Sequence, residues 1–124
     1  MSEPLPVRRT LTFQRDLQSL IPRNNRDNLI WDLERISKED LQRHPNLKGS
    51  YLEPFRSYHK WTFRILFVYC YQCFHQFDQR LNCNGCDEND LEKLVLVLID
   101  HRSNAYRYNR ATLTNFTLYE PNDV

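Results

Sequence analysis

All four cysteines of the chain lie within residues 70–86, as two Cys-x-x-Cys pairs. Cys70 and Cys73 form the first pair, Cys83 and Cys86 the second, with nine residues between them. Two such pairs can place four thiolates round one ion, and zinc accepts four in a tetrahedron at about 2.3 Å. Four thiolates leave no open coordination position, so the ion would be structural. The spacing between pairs is shorter than in a zinc ribbon, which makes the ring tight. Three other chemistries stay open. The thiols can be simply reduced, they can form disulfides, or His75 can replace one as a ligand. A redox role for "CNGC" lacks the βαβ setting such pairs favour.

A second set of residues suits phosphate chemistry. Arg56, His59, Lys60 and Arg64 lie close together, and His101, Arg102 and Tyr106 follow further on. Cleaving RNA by internal attack requires a base for the 2′-hydroxyl, cations for the charge on phosphorus, and an acid for the leaving oxygen. Arginine's planar fork matches two phosphate oxygens. His101 can exchange a proton near neutral pH, and Tyr106 can stack on a base or donate a proton. The plain alternatives are an Arg64 paired with a carboxylate, solvated Arg56 and Lys60, and a Tyr106 used for packing. Trp31 and Trp61 read as core residues. Formal net charge is +1, so a basic face must be local, balanced by the acids of "DENDLE" at residues 87–92.

The elements around these residues follow from their periodicity. "VRRTLTF" at residues 7–13 reads as a strand, and "FQRDLQSL" places Phe13, Leu17 and Leu20 at helical spacing. Pro22 breaks that helix, and Asn24 or Asn25 can cap the next. Leu29, Leu33 and Ile36 mark its buried face, with Ile30 beside it. "HPNLKGS" reads as a turn, followed by an extended piece at residues 52–58. "KWTFRILFVYCY" is strand-like, with Phe63, Ile65, Phe67 and Tyr69 on one face and Thr62, Arg64, Leu66 and Val68 on the other. "LEKLVLVLIDH" has the continuous apolar character of a central strand covered on both sides. The last two strands flank the cysteines and should pair as an antiparallel hairpin. The fold class is α+β: a small, twisted, mainly antiparallel sheet of about four strands, with a helical hairpin packed on one face. With 124 residues, the chain reads as one domain, 1–124, carrying residues 69–91 as an inserted cysteine-rich hairpin tip.

Several pieces resemble the RelE/ParE toxin superfamily, in particular its RelE-type mRNA endonucleases. They are Leu47-Lys48-Gly49, Phe63-Arg64-Ile65-Leu66-Phe67, and His101-Arg102-Ser103-Asn104-Ala105-Tyr106, in that order. The resemblance spans about residues 8 to 107, apart from residues 70–91. It implies that Arg64 and Arg102 stabilise the phosphate, that Tyr106 is the terminal tyrosine of the site, and that His101 joins them. Arg56, Lys60 and Lys48 would bind RNA. Members that cleave often carry two cations spaced two apart before the central arginine, whereas Arg56 and Lys60 are four apart. The general base is therefore unassigned.

The function so implied is the toxin of a type II toxin-antitoxin pair, an endoribonuclease acting on mRNA at the ribosome and silenced by a cognate antitoxin. Cleavage would need no cofactor, and zinc would serve the cysteines alone. Two other readings remain: a ParE-like topoisomerase inhibitor, and a non-catalytic zinc-containing module that binds nucleic acid or protein. The lack of an apolar segment near the roughly 18–20 residues of a membrane span, and of a secretory leader, suggests a cytoplasmic protein with no membrane partner.

Overall fold

The computed structural model describes residues 3–48, 52–101 and 110–120. Strand β1 is Val7–Arg9, helix α1 Leu11–Leu20, helix α2 Arg23–Leu33, strand β2 Phe55–Lys60, strand β3 Phe63–Tyr69, helix α3 Cys70–Gln76 and strand β4 Leu94–His101. Short 3₁₀ turns occupy Glu39–Arg43 and Arg110–Leu113. The sheet order is β1-β4-β3-β2. β2 with β3, and β3 with β4, are antiparallel, while β1 joins β4 in parallel. The α+β class and the helical hairpin on one face agree with the sequence.

The first strand is shorter than its pattern suggests. Thr10 ends it by capping α1: its hydroxyl accepts from the Phe13 amide at 2.9 Å and donates to the Val97 carbonyl at 2.7 Å. The capping bond satisfies an amide the first turn would otherwise leave bare. Asp16, one turn later, accepts from the Ile99 amide at 3.0 Å. Helix α1 thus takes over as partner of β4 beyond the point where β1 stops. The second helix starts from Pro22 at its N-cap position, not from Asn24 or Asn25. Proline fixes the backbone for helix entry and has no amide to satisfy.

Each sheet face buries its own apolar layer. Phe13, Leu17, Leu29 and Leu33 from the helices, with Ile36 just beyond α2, pack onto Ile65, Phe67, Tyr69, Leu94, Leu96 and Ile99. The other face carries Leu66, Val68, Val95, Val97 and Leu98, covered by Cys70, Cys73, Leu81, Leu113, Phe116 and Leu118. Burial of each large side chain contributes about 1.5–3 kcal/mol. Alternation in β3 matches the sequence reading residue for residue. In β4 a bulge opposite Leu66 and Phe67 sends both Val97 and Leu98 to the second face.

Two expectations are corrected, and one segment without a sequence assignment finds its place. The first cysteine pair does not extend a strand to a hairpin tip: it lies on α3, and a loop carries the second pair back to β4. Residues 110–120 are built into the fold. Leu118 bridges Thr10, Tyr119 donates to the Arg9 carbonyl at 2.8 Å, and Glu120 pairs with Arg8. Trp31 and Trp61 are not core residues, being 56% and 43% exposed. Trp31 instead lies beneath the Arg35 guanidinium at 3.3 Å, an exposed cation–π contact.

Candidate functional site

Strand register fixes which basic residues can meet. Directly opposed residues of an antiparallel pair share a face. Arg64 opposes His59 on β2 and Asp100 on β4, so these three form a row on the face away from the helices. Phe63 opposes Lys60 and His101, which places both on the helix side. The His101 and Phe63 rings lie 4.9 Å apart. Arg64 and His101 are therefore separated by the sheet, so their side chains do not converge. Arg102 and Tyr106 lie outside the described residues.

The two β2 cations are committed to the fold. Lys60 pairs with Asp32 of α2. Arg56 points to the helix side, where one Nη donates to the Leu41 and His44 carbonyls at 2.7 and 3.0 Å. Its other Nη donates to the Gln72 amide oxygen at 3.1 Å. Burial holds the Arg56 pKa below the ordinary arginine value. Arg64 is only 4% exposed. It lies among the second apolar layer's strands, beside a histidine and a carboxylate, and is not presented to solvent as a phosphate ligand would be.

A different set of cations is presented. Asn46 bridges Arg56, and the Leu47 amide donates to the Phe55 carbonyl at 2.9 Å, so residues 46–47 run along the outer edge of β2. Between this segment and the strand lies a groove of about 500 Å³, lined by Arg43, His44, Lys48, Ser57 and His59 together with Pro45, Asn46 and Leu47. Arg43, Lys48 and His59 are exposed. No carboxylate occurs among the described lining residues. The groove reaches Arg64 through its register partner His59.

His44 is half-buried, its ring 5.2 Å from Tyr58 and 6.1 Å from Phe67. Burial lowers its pKa, opposed by a hydrogen bond with the Ser57 backbone and by the charge of Asp40. A histidine lowered from 6.5 is mostly neutral at pH 7 and able to accept a proton. Arg43 and His44 were absent from the sequence-derived set. Their signal was "QRHP", a basic pair before a proline turn, which only the path along β2 makes relevant. Lys48 is the one RNA-binding expectation that lines this groove.

The four cysteines come together separately. Cys70, Cys73, Cys83 and Cys86 line one small cavity with Val68, Gln79, Leu81 and Asn82. None forms a disulfide. Burial, with a smaller push from the nearby Cys83, raises the Cys70 thiol to about 12. His75 is exposed on α3, its ring 4.5 Å from Tyr71, and is not among the residues that line the cysteine cavity.

No family model matches the chain, and no curated protein matches it. Among solved structures, a chain of the toxin-antitoxin complex RelBE2 from Mycobacterium tuberculosis is similar, with a TM-score of 0.53 and 23% identity. The match covers 82% of this chain and 94% of that one. At this identity the likeness concerns architecture, and it identifies the four-stranded sheet with its helical hairpin as a RelE-type fold.

Proposed function

We propose that the chain is a toxin of a toxin-antitoxin pair that binds RNA along the edge of β2 and cleaves it by attack of a 2′-hydroxyl on the adjacent phosphate. The observation that carries this reading is the groove of Arg43, His44, Lys48 and His59 with no acid among its described lining residues. Arg43 is balanced in part by Asp40, 3.8 Å away and outside the groove lining, and the remaining cations along the strand edge attract a polyanion. Arg43 and Lys48 hold backbone phosphates and His59 moves the proton, while the His44 ring packs on Tyr58 and Phe67 on the helix side. Arg64 supports His59 from below with a fixed positive charge. The expected partners are mRNA on the ribosome and a cognate antitoxin, and the RelE-type fold, found in a toxin-antitoxin complex, supports the latter.

The test is expression from a tightly controlled promoter with mapping of RNA 5′ ends. New ends within translated messages should appear, and should be lost in His59→Ala and in the double variant Arg43→Ala/Lys48→Ala. His101→Ala, on the opposite face, should cleave normally. RNA that stays intact under growth arrest, or cleavage that survives both groove variants, refutes the reading.

One observation favours binding without cleavage. The β2 residues that share a face with Arg64 are Phe55, Ser57 and His59, none a lysine or arginine. A nuclease that needs fixed cations there would be impaired, and growth arrest with intact RNA is the outcome that supports this second reading.

A further inference from the structure

We propose that the four cysteines form a structural zinc site that fastens the inserted segment and the C-terminal segment to the sheet. The site is distinct from the β2 groove, and the inference holds whether or not the chain cleaves RNA.

Cys70 and Cys73 stand three apart on α3, both buried against the second sheet face. Residues three apart share a helix face, so this pair is preset. The chain then reverses through Asp78, Gln79 and Asn82, all with positive φ (50°, 54° and 47°). That reversal returns Cys83 and Cys86 to the same cavity. Room for a water-sized occupant there is only about 10 Å³, roughly one small sphere. This suits a single ion and excludes an organic cofactor.

Simple packing does not account for the second pair, since Cys83 is half-buried and Cys86 exposed. No three His, Cys, Asp or Glu side chains among the described residues already stand at coordinating distances. For four thiolates to share one ion, the loop pair has to close toward the helix pair.

The surroundings suit the charge that would result. Zinc with four thiolates carries a net charge of −2. Lys93 is 4% exposed, and its ammonium reaches the Gly85 carbonyl, inside the second pair, at 3.1 Å. Its described carboxylate partner, Asp90, is 3.5 Å away and largely exposed. A buried cation needs a buried counter-charge, and the thiolates would supply it. On binding, each thiol loses its proton to solvent as its Zn–S bond forms, so no oxidant is required.

The C-terminal segment is fastened to this same loop. Asn84 donates from its amide to the Phe116 carbonyl at 3.2 Å and accepts from the Leu118 amide at 2.8 Å. The Asn115 amide donates to the Leu81 carbonyl at 2.9 Å, and the Thr114 hydroxyl to the Arg80 carbonyl at 3.0 Å. Fixing the loop therefore fixes the layer formed by Phe116 and Leu118.

The experiment is elemental analysis of the full chain, purified from zinc-supplemented cells and dialysed, with cobalt substitution as a second readout. The expected result is one zinc per chain and, with cobalt, the intense thiolate charge-transfer and visible bands of a tetrahedral sulfur site. Cys83→Ser/Cys86→Ser changes only partly exposed positions and should fold, yet lose the metal and the cobalt spectrum. Limited proteolysis should then cut within residues 112–119 faster than in the zinc-loaded protein. A folded wild-type chain without zinc, whether its thiols are reduced or disulfide-bonded, overturns the proposal. So does zinc retained in full by the double variant.

Discussion

Replacing Arg56 by alanine should cost stability, because its guanidinium joins three parts of the fold. It ties strand β2 to the Leu41 and His44 carbonyls at the end of the 3₁₀ turn, and to Gln72 on α3. Each hydrogen bond to a charged group contributes about 1.5–3 kcal/mol. The site is only half-buried, so water can replace part of what is lost, and the net cost should be about 2–4 kcal/mol. For a chain of this size each kcal/mol shifts Tm by roughly 3–4 °C, giving a fall of roughly 6–16 °C. Arg56→Lys should recover less than about half of this, since a single ammonium lacks the fork that spans the separate acceptors. Urea denaturation followed by circular dichroism measures the change directly. Lys48→Ala is the control: its side chain is exposed, and the expected change is within about 0.5 kcal/mol. If Arg56→Ala keeps full stability and instead flattens the salt dependence of RNA binding, Arg56 is a phosphate ligand. The structural assignment would then be wrong.

Three further outcomes follow from other contacts. Thr10→Ala removes both the cap of α1 and the bond to Val97 in a fully buried site, and should cost about 2–4 kcal/mol by denaturant titration. Burial, with a further push from Asp100, raises the Asp16 carboxyl above its ordinary value although Ile99 donates to it. The folded state therefore holds that proton more tightly, and the stability it confers is lost as pH rises through the raised folded value. Asp16→Asn keeps the acceptor, so the stability of the variant relative to wild type should grow as pH rises from about 4 to 7. Gly85→Ala would drive a methyl into the Leu118 side chain, which is buried in the second layer, and should cost about 1–3 kcal/mol in thermal melts.

The sheet was legible in the sequence because alternation is a local signal. Phe63, Ile65, Phe67 and Tyr69 declare one face of β3 without reference to any other strand, and a run such as "LVLVLI" declares a strand covered twice. The antiparallel pairing of β3 and β4 followed from their flanking of the insert. What could not be read is what depends on partners distant in the chain. Thr10 looked like the middle of a strand, yet its hydroxyl is bonded to Phe13 and Val97 and turns the chain into a helix. The polar composition after residue 110 hid Leu113, Phe116 and Leu118, three apolar residues with no regular period that become a cover only when the insert meets them. Arg56 and Lys60 resembled surface cations because nothing in their neighbourhood announces Leu41, His44 or Asp32 as partners. Arg43 and His44 were passed over for the converse reason: they lie in a turn, and only the course of that turn beside β2 makes them part of a groove.

Register also fixes the face on which each described basic residue of the strands stands. To place His101 on the face of Arg64, β4 would have to slip by one residue against β3. A slip of one residue inverts every side chain of the strand. Leu94, Leu96 and Ile99 would leave the layer under the helices, and Val95, Val97 and Leu98 would leave the layer under the C-terminal segment. The bulge opposite Leu66 and Phe67 already sets the alignment on both sides of it, so a partial slip has no register to settle into. The helix side of the sheet is filled by α1 and α2, with Lys60 bound to Asp32, and the opposite face is filled as far as Leu66 by the insert and the C-terminal segment. Among the described residues, it is at the outer edge of β2 that His59 stands between the exposed cations of the groove and the buried charge of Arg64. An arginine that is 4% exposed cannot clamp a phosphate unaided. In the proposed reading it holds a positive charge beside His59, which lines the groove, whereas His101 stands on the other face of the sheet.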